Sequence, residues 1–163
     1  MDKINELKKY MIQYEKGCPK RINHFLKVHS FAKIIAESEN FEEPIKFIIE
    51  TASILHDVGI KPSLEKYQSS AGHHQEIEGP PKAKEILIQF GFSDEITERV
   101  CYLIANHHTY SKIDGEDYQA LIEADFLVNI FEDELNKENI LTIKKKYFKT
   151  NSGISLLENL YLY

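Results

Sequence analysis

Apolar residues recur three and four apart along most of this chain, and nowhere do they alternate with polar ones for long enough to form a strand. Helices repeat every 3.6 residues, so this spacing commits the chain to an all-α fold before any other feature is considered. Ile4, Leu7, Met11 and Tyr14 define a first helix to about Lys16, where Gly17 and Pro19 end it and start the next. The second covers about 19–38 on the stripe Val28, Phe31 and Ile35, and the third runs from about Glu42 to His56 on Ile45, Ile48, Ile49, Ala52 and Leu55. Residues 59–81 collect Gly59, Pro62, Ser69, Ser70, Gly72, Gly79, Pro80 and Pro81, which predicts a long connection at the rim of the fold. Helices are expected again over about 81–90 and 93–106, the latter opened by Ser93 as N-cap with Asp94 and Glu95 in its first turn. Thr109 to Glu116 reads as a loop and 117–132 as a helix. Helical segments over about 136–162 should pack on a core region spanning about 20–132, with a short apolar tail from Ile154.

A chain of 163 residues, 42% of them hydrophobic, can bury one substantial core, so residues 1–163 are expected to form a single domain. Its 26 Asp and Glu against 20 Lys and Arg leave a formal charge of −6, which argues against a nucleic-acid polymer as partner and requires any phosphate-bearing ligand to find a local positive site. Cys18 and Cys101 form neither a CxxC pair nor a disulfide framework. With no targeting pattern and no apolar run of membrane-spanning length, the expectation is a cytoplasmic protein without membrane contact.

The chemistry lies in polar groups that share a face with apolar ones. His56 and Asp57 stand at the end of the run Ile48 to Leu55, just before Val58 and Gly59. A helix ending there would let both side chains turn toward one divalent cation. His24 lies on the line of Val28, Phe31 and Ile35, whereas His29 falls to one side and is a poorer candidate. His107 continues the stripe Ile96, Val100, Leu103 and Ile104. Asp125 is flanked a turn either way by Leu121, Ile122 and Val128, where an ionised carboxylate is costly without a cation or donor. Each has an ordinary explanation when taken singly. A core histidine can donate to a backbone carbonyl, Asp125 can pair with Arg21 or a lysine, and His107 and His108 suit a helix C-terminus as cations. Together they put an inward ionisable group on each of four helices, and a single ion accounts for all of them. The mixed nitrogen and oxygen donors suit Mn, Fe, Mg, Co or Zn.

These residues resemble the HD superfamily of metal-dependent phosphohydrolases, helical proteins named for a His-Asp doublet. The likeness covers about residues 20–132. It rests on the stretch His24-Phe-Leu-Lys27-Val28, the doublet, and Asp125 within Glu-Ala-Asp-Phe-Leu-Val. It implies an orthogonal helical bundle in which His24, His56, Asp57 and Asp125 hold a divalent ion. In the same resemblance, Gly79-Pro-Pro-Lys-Ala83 and Ile104-Ala-Asn-His107-His108 match the segment where two-metal members place further histidines. His74, His107 and His108 are therefore candidates for a second ion or for phosphate, with His73 beside them. Lys61 corresponds to a lysine the family often carries soon after the doublet.

The function implied is metal-assisted hydrolysis of a small phosphate ester, most readily a nucleotide. Asp57 would hold the ion and accept a proton from water, and Lys61, His107 or His108 would meet charge on the phosphoryl oxygens. Two other readings stay open: a di-iron oxygenase, which needs His74 and His107 as ligands, and an inactive metal- or nucleotide-binding module. Monoesterase or diesterase type, metal identity, one ion or two, and a homo-oligomer also stay open.

Overall fold

The computed structural model describes residues 2–163, and among them no strand occurs. Nine helices follow in order: α1 (Lys3–Tyr14), α2 (Pro19–Ser38), α3 (Glu43–Leu55), α4 (Ile60–Tyr67), α5 (Gly72–Gln89), α6 (Asp94–Asn106), α7 (Glu116–Glu132), α8 (Lys137–Tyr147) and α9 (Asn151–Tyr161). A single 3-10 turn, Tyr110–Lys112, links α6 to α7. Side-chain caps define several starts: Asp2 accepts from Ile4 N–H and Asn5 N–H, Ser93 from Ile96 N–H, and Asn136 from Asn139 N–H. Each satisfies amides that a helix leaves unpaired in its first turn.

Helix α2 lies between α3 and α7, while α5 pairs with α4 and α6, and α3 joins the two groups by touching α6 and α7. One apolar core runs through all of the helices but α4, from Ile4 and Leu7 through Ile35, Leu55, Leu87 and Leu103 to Leu121 and Leu157. This is the all-α bundle the periodicity called for, built around a single core.

The expected connection over 59–81 is instead mostly helix. Residues Ile60–Tyr67 form α4, and α5 begins at Gly72 and carries Pro80 and Pro81 in its interior. Proline removes a helical hydrogen bond and crowds the preceding turn, so burial between neighbouring helices must offset that cost here. Gly79 supplies the reason for the close fit. A side chain on Gly59 would come within 2.7 Å of Gln75 O and Gly79 N, and one on Gly79 within 2.6 Å of Ile104 Cγ2. The two glycines thus let the corner after the doublet, helix α5 and helix α6 touch almost backbone to backbone.

The apolar tail is also a helix. Thr150 caps α9 by accepting from Gly153 N–H at 2.9 Å, and Leu157 is buried on the core. The anchor is Glu123 of α7, fully buried, whose carboxylate accepts from Gln119 Nε2 at 2.7 Å, Lys149 N at 2.6 Å, Thr150 N at 2.9 Å and the Thr150 hydroxyl. No helix among the described residues is long and apolar enough to cross a membrane.

Candidate metal centre

Helix α3 stops at Leu55, and Val58 N–H closes a tight turn onto Leu55 O at 2.9 Å. The turn brings the side chains of His56 and Asp57 to the same side. His24 reaches them from α2 and Asp125 from α7. His24 Nε2 lies 3.2 Å from His56 Nε2, 3.2 Å from Asp57 Oδ2 and 3.2 Å from Asp125 Oδ1. His56 Nε2 is 3.4 Å from Asp57 Oδ2 and 3.5 Å from Asp125 Oδ1. Four donors from three parts of the chain converge at the spacing of ligands about a single ion, since neighbouring ligands about 2.1 Å from a six-coordinate metal stand about 3 Å apart.

The outer edge of each imidazole fixes which nitrogen faces the centre. His56 Nδ1 donates to Ser53 O at 2.8 Å, His107 Nδ1 to Ile104 O at 2.8 Å, and His24 Nδ1 faces the Glu132 carboxylate at 3.2 Å. With the proton on Nδ1, each Nε2 presents a lone pair inward. His24 Nε2 and His56 Nε2 then oppose one another as acceptors. His107 Nε2 and Asp125 Oδ1 are buried without any hydrogen-bond partner. Buried acceptors facing acceptors are expensive unless positive charge sits among them, so the donor set fits a divalent cation.

The electrostatics agree. Burial alone would lower the His56 pKa, but the nearby charges of Asp57 and Asp125 outweigh it and raise the group to about 9. For His24, burial again opposes and Asp125 and Asp57 again prevail, raising it. In Asp125, burial pushes the carboxyl up, yet the imidazoles of His24 and His56 close to it hold it well below its ordinary value. Asp57 is depressed in the same way by His56, His107 and His24 against its own burial. The two carboxylates hold positive charge at this point, and an ion satisfies that demand more directly than protons do.

A model of the HD domain matches residues 21–146. The chain belongs to the HD domain family. Its fold is shared with the crystal structure of a protein described as a predicted HD superfamily hydrolase from an uncultured Thermotogales bacterium: TM-score 0.69, 20% identity, 96% of this chain and 84% of that one covered. It is shared too with YpgQ from Bacillus subtilis, at TM-score 0.64 and 17% identity over 96% of this chain and 87% of that one. No curated protein is significantly similar in sequence. HD domains bind divalent metals, and this HD domain holds two overlapping groups of suitable donors: His24, His56 and Asp57, and Asp57, His107 and His108. Asp57 is common to both, its Oδ2 facing the first group and its Oδ1 lying 3.5 Å from His107 Nε2.

The corner carrying His107 and His108 is fixed from outside. Tyr118 is completely buried, and its hydroxyl donates to Asn106 O at 2.5 Å and also contacts Thr109 O. Glu76 accepts from His108 N–H at 3.1 Å and from the Thr109 hydroxyl at 3.0 Å. His108 itself meets Gln75 Oε1 at 3.3 Å, and burial, followed by the charge of His107, lowers its pKa to about 4. It is therefore neutral at neutral pH, able to ligate or hydrogen-bond but unable to bring positive charge to phosphate.

Two expectations change. His74 stands outside both donor groups, its ring stacked on Tyr67 with centroids 4.1 Å apart. Lys61 is directed at α1, donating to Tyr14 O at 3.2 Å with its ammonium 4.8 Å from the Tyr14 ring. Along a helix each residue turns the side chain by about 100°, so the spacing of a motif does not by itself set which way Lys61 points. His29 is buried but pairs with Glu50 at 2.9 Å, away from the cluster, and Arg21 is taken by Glu15 at 2.7 Å rather than by Asp125. Sequence inspection missed Glu132, Ser53 and Ile104, which orient the imidazoles. Only Glu132 had a visible signal, standing seven residues and so two turns beyond Asp125 on one face of α7.

Proposed function

We propose that this HD domain is a metal-dependent phosphohydrolase acting on a small phosphate ester, with a nucleotide as the substrate class. The observation that carries the reading is the convergence of His24, His56, Asp57 and Asp125 on one point beside a cavity. That cavity, about 150 Å³, is lined by Lys20, Arg21, His24, Asp57, Ile60 and Asn129, together with Glu132 and Asp133. Its size suits a phosphoryl group with attacking water, leaving the remainder of the substrate outside. Lys20 lines it with no ion pair among the described residues, and Arg21 lines it while paired with Glu15, so Lys20 is the cation at its mouth that is left for a phosphoryl oxygen.

His24, His56, Asp57 and Asp125 would hold the ion, which when bound would lower the pKa of water and polarise a phosphoryl oxygen. Asp57 is the most exposed of the four, its side chain 22% accessible against 9%, 0% and 10% for His24, His56 and Asp125. It is thus the carboxylate placed to take the proton of an attacking water. His107 backs Asp57 from the other side, and with His108 it offers a place for a second ion. Lys61, held by Tyr14, is replaced in its charge-balancing role by Lys20. The oxygenase reading relies on His74, whose ring is stacked elsewhere, so hydrolysis is preferred.

The test is phosphate release from a panel of mono- and dinucleotides with Mn²⁺, comparing the parent with Asp57→Ala. Release by the parent that disappears in Asp57→Ala, with helix content unchanged, is the expected result. Full activity in the mutant overturns the assignment, and oxygen uptake with two irons bound would favour the oxygenase.

A further inference from the structure

We infer that Glu132 is a positioning residue for the metal site, fixing the ring of His24 so that its Nε2 faces the ion. The inference rests on the metal-centre reading above and extends it to a carboxylate outside the ligand set. Both Glu132 oxygens approach His24 Nδ1, at 3.2 and 3.3 Å, and one of them also accepts from Lys27 Nζ at 2.9 Å. His24 and Lys27 are one turn apart on α2, so a single carboxylate on α7 ties both to it.

Two other roles for Glu132 are weaker. It closes α7, and an acid at a helix C-terminus opposes the dipole, so local helix energetics do not favour it there. Its pair with Lys27 leaves the lysine side chain 41% accessible, and exposed ion pairs of this kind contribute little. His24 is different, being 7% exposed, with only one polar neighbour on the edge away from the ion. His56 and His107 have backbone carbonyls in the equivalent position. Of the imidazoles with their Nδ1 fixed in this way, His24 alone depends on a side chain, and so on a group that substitution can remove. An outer carboxylate on a ligating histidine fixes ring orientation and strengthens the ligand, and its loss weakens metal affinity about 10- to 100-fold.

The experiment is calorimetric titration of the metal-free full chain with Mn²⁺, in the parent and in Glu132→Leu, Glu132→Gln and Lys27→Met, with melting of each metal-free form. Glu132→Leu should bind about 10- to 100-fold more weakly, Glu132→Gln about 3- to 10-fold because its amide oxygen still accepts from Nδ1, and Lys27→Met within about 3-fold. The metal-free melting temperatures should match the parent, which separates positioning from general stability. A folded Glu132→Leu with parental affinity overturns the inference while leaving the metal centre intact. If Glu132→Leu does not fold, Glu132→Gln decides, and parental affinity there is equally fatal. A parent that binds no Mn²⁺ overturns both readings.

Discussion

Glu123 and Asp125 stand two residues apart on α7, both buried, and differ in what surrounds them. Glu123 collects donors from Gln119, Lys149 and Thr150, and every one is supplied by the chain. Burial raises its pKa, with those donors pulling the other way. Asp125 faces two imidazole nitrogens whose protons lie on the far side of their rings, and its Oδ1 has no hydrogen-bond partner. Its pKa is held low although burial opposes this. The first carboxylate is complete and ties α8 and α9 to the core. The second is incomplete without a cation, which is how a binding site differs from a structural polar group in the same helix.

The sharpest way to break this contrast is Asp125→Asn. Loss of a ligand worth several kcal/mol should cut Mn²⁺-dependent phosphate release about 100-fold or more while the protein keeps its helix content. A phosphate assay and a circular dichroism spectrum on the same preparation check both halves, and release within a few-fold of the parent's would mean Asp125 is not a ligand. Glu123→Ala should do the reverse, costing about 3 kcal/mol by leaving buried donors unpaired, with Mn²⁺ affinity unchanged. Urea unfolding measures it. Glu123→Gln should cost much less, because burial already disfavours the charged form.

Ligand linkage separates the two sites a little less strongly. Mn²⁺ at about 100 times its Kd should stabilise the parent by about 2.7 kcal/mol and chelator should remove the gain, with Glu123→Gln keeping the response and Asp125→Asn losing it. Gly59→Ala tests whether backbone contact places the doublet. Its methyl would meet Gln75 O and Gly79 N, neither free to move, so a loss of about 2 kcal/mol and weaker metal binding are expected by melting and titration.

The smallest effect concerns the His29–Glu50 pair outside the cluster, of which only His29 is buried. The hydrogen bond from His29 lowers the Glu50 pKa, against burial and with help from Lys33. A depressed carboxyl contributes stability that is present above its unfolded pKa and lost as pH falls through the folded one. The urea midpoint of Glu50→Gln should therefore sit below the parent's at pH 7, the gap closing toward pH 3. A gap independent of pH would show that the pair is not ionic.

How much of this was legible in advance depended on range. The 3.6-residue spacing showed the helices and the inward direction of His24, His107 and Asp125, because amphipathic period is written locally. It misread 59–81, where Gly and Pro signal a loop but packing against α4 and α6 keeps α5 helical through Pro80 and Pro81. It placed His29 to one side, which is correct for the stripe yet still buried, since α2 is covered by α3 as well as α7. Lys61 and His74 followed motif spacing alone, and spacing does not say which way a side chain turns on its helix.

By itself the sequence determined an all-helical chain whose doublet and inward acids and imidazoles call for a cation, because periodicity and the cost of burying charge are properties of short segments. Only the tertiary structure decided that Asp125 and not Glu123 faces the imidazoles, and that Glu132 holds His24. It likewise left Lys61 with Tyr14. Those choices depend on which residue of a distant helix lies opposite, and that is set when α2, α3, α6 and α7 pack together.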